Sequence, residues 1–157
     1  MRLTKFSDYA LRALLFAASR PGERVTVEET AQLFGISRMH LKKVVMFLSA
    51  EGYVSALRGH HGGFMLARAP EQINLGVLLR KTEPDFGMVE CFQTENMCPI
   101  TRGCRLAEVV NESVGAFIAA FDRYTLADIL LPPGRFTRSD APQPLRGPRL
   151  PLPPATA

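Results

Sequence analysis

Apolar residues in the first fifty-two positions recur at three- and four-residue spacing in three successive blocks, each closed by a glycine. Thr4 opens the first block and predicts a helix to about Ser19, with Leu11, Leu14, Leu15 and Ala18 at core spacing and Pro21-Gly22 as the stop. A second helix begins at Thr26-Val27-Glu28-Glu29, where threonine and the glutamate three residues on can cap each other, and Gly35 ends it after Val27, Ala31 and Phe34. Ser37 is placed to cap a third helix, whose Leu41, Val44, Val45 and Leu48 form one stripe up to Gly52. Its opposite face carries Met39, Lys42, Lys43 and Met46, with Arg38 at the start and His40 on the flank.

The period then changes. Tyr53 to Arg58 and Phe64 to Ala67 are short β-prone runs joined by Gly59-His60-His61-Gly62-Gly63, which predicts a hairpin with a flexible tip. Asn74 caps a fourth helix through Thr82, packed by Leu75, Leu78 and Leu79. From Arg105 to about Ile129 runs the longest stripe, through Leu106, Val109, Val110, Val114, Phe117, Ile118, Phe121 and Tyr124, roughly 37 Å of helix. No later element is available to bury it, so it is expected to pair with its copy in a second subunit, with part of it packing on its own domain. Eight of the twelve prolines lie in the last 27 residues, mixed with arginine and glycine, and a disordered tail is expected there.

Two short helices joined by a glycine turn, the second with a cationic outer face and followed at once by a hairpin, describe a winged helix-turn-helix. The competing description is a small helical bundle with a basic surface. The hairpin directly after the third helix favours the first. Residues 1–80 hold eleven Lys/Arg against six Asp/Glu, whereas residues 81–130 hold four against eight, so the surplus that suits a polyanion sits on the helix-turn-helix half. Ser37, Arg38, His40, Lys42 and Lys43 are the expected DNA contacts of the third helix, and Arg58, His60 and His61 those of the wing. The expected class is therefore mainly α: a winged helix-turn-helix domain (1–82), a cysteine-rich loop (83–104), a long C-terminal dimerisation helix (105–130) and the tail (131–157).

All three cysteines fall within fourteen residues, Cys91, Cys98 and Cys104, at spacings C-x6-C-x5-C with an Asn-x-x-Pro turn between them. Such a loop can fold back so that its sulfurs converge, and thiolates are soft ligands that select iron-sulfur clusters, zinc or Cu(I). Three is one short of a closed shell. A disulfide with a spare thiol, or three unrelated small residues, are the other readings, and an odd count disfavours a disulfide framework. Asp8 falls in the first turn of the first helix, where a carboxylate is commonly placed to meet the helix dipole.

No apolar run approaches the ~20 residues of a membrane span. Asp8 and Arg12 interrupt the start of the chain too early for a signal peptide, so a cytoplasmic location is expected. The chain has no P-loop, no G-x-S-x-G and no H-E-x-x-H, and it is read as a non-enzyme.

The start LTKFSDYALRALL, the segment GISRMHLKKVVMFLSAEGYV, the hairpin RGHHGGFMLA and the terminal YTLADIL resemble the Rrf2 family of winged-helix regulators over about residues 1–130. Within it, ENMCPITRGCRL and Asp8 are similar to the nitric-oxide-sensing branch, the NsrR-type repressors. That resemblance implies an iron-sulfur cluster, [4Fe-4S] or [2Fe-2S], held by Cys91, Cys98 and Cys104. Asp8 of the partner subunit would be the fourth ligand. It also implies a homodimer on a palindromic DNA operator, released when nitric oxide destroys the cluster. The branch that regulates iron-sulfur assembly, with general redox sensing beside it, is the alternative. It uses a histidine three residues after its last cysteine, and Ala107 stands there in this chain.

Overall fold

The computed structural model describes residues 2–57, 59, 62–93, 95–132 and 134–136. Helix α1 (Lys5–Ala18) is capped by Thr4, whose hydroxyl accepts from the Ser7 N–H. It is the centre of the core. Its small residues Ala10, Ala13 and Ala17, all buried, let the other helices come close, while Leu14 and Phe16 fill the space between them. The buried face lies further round the helix than sequence spacing suggested, for Leu11 and Leu15 are only partly covered.

Helix α2 (Val27–Phe34) shows the expected reciprocal cap, with the Glu29 N–H donating to Thr26 Oγ1 and the Glu29 carboxylate accepting from the Thr26 N–H. Gly35 closes it at φ +62°, a left-handed conformation that costs glycine no steric clash. In helix α3 (Arg38–Ala50) the four stripe residues Leu41, Val44, Val45 and Leu48 are the buried ones, which fixes the rotation of the helix and turns its other face outward. Strands β1 (Val54–Leu57) and β2 (Gly63–Leu66) pair antiparallel, Val54 opposite Leu66 and Leu57 opposite Gly63. The linker between α1 and α2 adds an unforeseen bridge to this wing: Val25 and Phe64 exchange both backbone hydrogen bonds, at 2.9 and 2.8 Å. A Cβ at Gly63 would stand 2.8 Å from the Val25 carbonyl oxygen, so glycine is required for the strand to come this close.

Helix α4 (Leu75–Thr82) runs as expected from its Asn74 cap, and its buried Thr82 accepts from Ser7 Oγ of α1 at 2.8 Å. Helix α5 (Arg105–Asp122) is shorter than expected. Its 18 residues span about 27 Å. Beyond it, Tyr124 to Leu126 turn back to bond Ile73 and Leu75, with Leu75 N–H to Tyr124 O at 2.9 Å and Leu126 N–H to Ile73 O at 2.8 Å. Burying Leu126 completely in the core outweighs continuing the helix. Arg80 on α4 clamps α5 through both carboxylate oxygens of Asp122 and holds that carboxyl below the ordinary carboxylate range.

The tail boundary also moves. Phe136 packs its ring against Phe16 and Phe34, with centroids 5.6 and 6.0 Å away, so the chain is on the domain at a residue that was expected to belong to the tail. Residues 137–157 lie outside the described residues. Among those described, no helix is long and apolar enough to cross a membrane.

Candidate functional site: a cationic helix face and a three-thiol loop

The outward face of α3 is set by its buried stripe. Lys42, Lys43 and His40 are exposed, and neither lysine takes part in an ion pair among the described residues. Ser37 occupies the cap position, but its side chain makes no capping hydrogen bond; the expected cap is one of backbone position only. Its hydroxyl is left exposed beside the free N–H groups of the first turn. Arg38 is turned back onto α2, 2.6 Å from the Glu28 carboxylate. Of the wing residues singled out from sequence, Arg58, His60 and His61 lie outside the described residues. The tip beside them turns through Gly59 at φ +106°, with Gly62 N–H donating to Gly59 O.

The three cysteines are free thiols, each half-buried. The expected convergence of their sulfurs is not what the chain adopts by itself: among the described residues, no three His, Cys, Asp or Glu side chains stand together as a metal-binding group. Each cysteine belongs to a separate turn. Cys91 sits in the short turn Glu90–Phe92, and Cys98 heads a turn closed by Thr101 Oγ1 donating to its carbonyl at 2.8 Å. Cys104 stands at the start of α5 with its side chain unused as a cap. Asn96 braces the middle turn, accepting from the Cys98 N–H and donating to Thr101. Nothing in these turns draws the sulfurs inward, and no described residue from 83 to 117 is buried. The donor set nevertheless suits a thiolate-bound metal cluster, since three unpaired sulfurs lie within fourteen residues on a segment with no core of its own.

Asp8 lies on the first turn of α1, where it receives a two-point contact from Arg12, at 3.0 and 2.7 Å. Both side chains are 42% exposed, so the pair contributes at most about 1 kcal/mol and does not anchor the carboxylate firmly. Sequence reading passed over the pairing of Arg12 with Asp8, although Asp-x-x-x-Arg at helical spacing signals it. It also passed over Glu83, which accepts from the Thr4 N–H and hydroxyl at 2.9 and 3.1 Å. No local pattern announces a bond across 79 positions. Through it, the start of α1 is fastened to the root of the cysteine segment.

The sequence signature of the Rrf2 family, described as "Iron-dependent Transcriptional regulator", matches residues 3–131. The HTH-type transcriptional regulator NsrR of Bacillus subtilis (strain 168) is 46% identical over 132 residues, covering 83% of this chain and 90% of that protein. The protein of the same name from Bacillus licheniformis is 43% identical over 133 residues, covering 83% and 93%. Among solved structures, T. potens IscR superimposes with a TM-score of 0.64 at 23% identity, covering 82% of this chain and 85% of that one, a likeness of fold. The B. subtilis cysteine regulator CymR gives a TM-score of 0.58 at 25% identity, covering 82% and 95%.

Proposed function

This chain belongs to the Rrf2 family of winged-helix DNA-binding transcriptional regulators, and from that premise we propose that it is a homodimeric, cytoplasmic repressor whose grip on a palindromic operator depends on an iron-sulfur cluster and is lost to nitric oxide. Cys91, Cys98 and Cys104 of one protomer, with Asp8 of the partner subunit, would hold the cluster, [4Fe-4S] or [2Fe-2S]. When bound, such a group supplies iron reactive toward nitric oxide, most open where the harder, weaker carboxylate replaces a thiolate.

The chain's part is mechanical. Asp8 rides on α1, and α1 packs directly against α3. A tie from one protomer's thiol loop to the other's α1 therefore sets the relative placement of two recognition helices, which must lie about 34 Å apart to enter successive major grooves. Asp8 stays half-exposed beside Arg12, free to leave so weak a pair, and Thr4 with Glu83 keeps the first turn of α1 from swinging away from the loop's root. Losing the tie frees the spacing, and the operator is released. At the DNA, Lys42, Lys43 and His40 would meet phosphates and base edges, Ser37 would offer its hydroxyl and helix N-terminus to a phosphate, and Arg38, Arg58, His60 and His61 would extend the contact. The α5 stripe Leu106, Val109, Val110, Val114 and Phe117, without a buried member, would be covered by its copy in the second subunit.

One observation carries the reading: three uncommitted thiols on a segment without buried residues, joined through α4 to a DNA-reading domain and leading straight into an uncovered apolar helix face. Anaerobic purification tests it. A brown dimer with iron and sulfide bound is expected; a colourless protein carrying zinc or a disulfide, or a monomer, would contradict it.

A further inference from the structure

Residues 39, 42, 43 and 46 follow the i, i+3, i+4, i+7 spacing of one helical stripe, and this stripe is the centre of the exposed face of α3. Met39 is 71% exposed and Met46 58% exposed, with Lys42 and Lys43 between them. A single exposed methionine means little. Two along the midline of a cationic recognition face are a different matter, because the midline is what enters the groove while the flanking lysines reach its phosphate walls. Arg38, the residue type that reads guanine by paired hydrogen bonds, is meanwhile turned back onto Glu28.

A thioether offers no hydrogen-bond donor and only a weak acceptor, so it gains little from the polar edges of guanine, cytosine or adenine. The C5-methyl of thymine is the apolar group that the major groove presents. We propose that Met39 is a specificity-determining residue that packs on a thymine methyl in each half-site, with Met46 packing on a second position further along the groove. The two methionines are about 10.5 Å apart along the helix, roughly three base-pair steps of about 3.4 Å. Methionine's flexible, polarizable side chain suits a flat contact of this kind. The inference rests on the DNA-binding reading above and adds to it which base is read and by which residue.

The test uses the full chain, purified anaerobically with its cofactor, and the palindromic duplex it selects from a randomised pool. Each thymine is replaced in turn by deoxyuracil, which removes only the methyl group. At the thymine that Met39 covers in each half-site the wild-type protein is expected to bind about four-fold more weakly for each methyl removed, and about sixteen-fold more weakly when both half-sites are changed. Met39→Ala, an exposed substitution that leaves the core untouched, is expected to bind the thymine duplex more weakly and to be indifferent to uracil at that same position. Wild-type binding that ignores uracil everywhere overturns the assignment while leaving the regulator reading intact. So does a Met39→Ala protein as sensitive to uracil as the wild type. A protein that selects no duplex overturns both.

Discussion

Lys43 lies on the outer face of α3, exposed and unpaired among the described residues, and Lys43→Ala removes one cation from each reading head without touching the buried stripe. Each phosphate neutralised contributes a slope of about −0.9 to the dependence of log K on log salt. A dimer that loses two such contacts should flatten that slope by about 1.8. Between about 50 and 200 mM salt, a four-fold change, that amounts to roughly twelve-fold less loss of affinity than in the wild type. Binding should also weaken almost equally on operator and nonspecific duplex, since phosphate contacts carry no sequence information. Fluorescence anisotropy over a salt series on both duplexes reads slope and ratio together. Arg123→Ala, an exposed cation just past α5, is the control and should leave the slope unchanged. A Lys43→Ala slope equal to that of the wild type would refute the placement of α3 against the phosphates.

Asp8→Ala should yield protein that acquires its cluster but loses it faster in air, whereas Cys91→Ala, Cys98→Ala or Cys104→Ala should yield none, as followed by visible absorbance. Iron retention by Asp8→Ala equal to wild type would leave Asp8 only its Arg12 pair and its place at the helix dipole. Gly76→Ala puts a methyl 2.9 Å from the Asp122 backbone nitrogen, which cannot swing aside as a side chain can, and should cost about 1–3 kcal/mol. Urea unfolding at fixed protein concentration should show a lower midpoint with an unchanged slope, and an unmoved midpoint would mean that α5 slides freely on α4. The Glu29 carboxyl is held below the ordinary range, first by the Thr26 backbone hydrogen bond, against a desolvation that opposes it. Its stabilisation is thus full above the unfolded value near about 4.3 and lost as pH falls through the lower folded value. Glu29→Gln should accordingly be less stable than wild type at neutral pH by under about 1 kcal/mol, with a gap that closes in acid. A gap independent of pH would contradict that assignment.

The DNA-reading half was legible because its information is local. The 3.6-residue stripe of α3, the Thr26-Glu29 cap and the glycine after α2 each specify backbone and facing within a few residues, and all appear as expected. What failed to read depends on distant partners. The bridge from Val25 to Phe64 joins residues 39 apart in the chain, and the bond of Thr4 to Glu83 spans twice that. The early end of α5 was in fact spelled out, since Thr125 and Asp128 have cap spacing and the Asp128 carboxylate accepts from both the Thr125 N–H and hydroxyl. The amphipathic stripe that continues through Tyr124 masked it. Phe136 was a similar warning: a large aromatic side chain in a proline-rich stretch is out of keeping with a wholly solvated tail, and it fills the space beside Phe16 and Phe34. The gathering of three sulfurs is another kind of case. Local turn chemistry sends each cysteine into its own turn, and on the proposed reading a bound group and a second subunit would supply the attraction.

In the proposed repressor the thiol loop and the reading helices act as one mechanical unit. Nitric oxide added stepwise to the anaerobic protein, with cluster absorbance and operator binding recorded on the same sample, tests it most directly. The two signals should fall together, with DNA released as the colour bleaches. Operator binding that persists after the cluster is gone would contradict it.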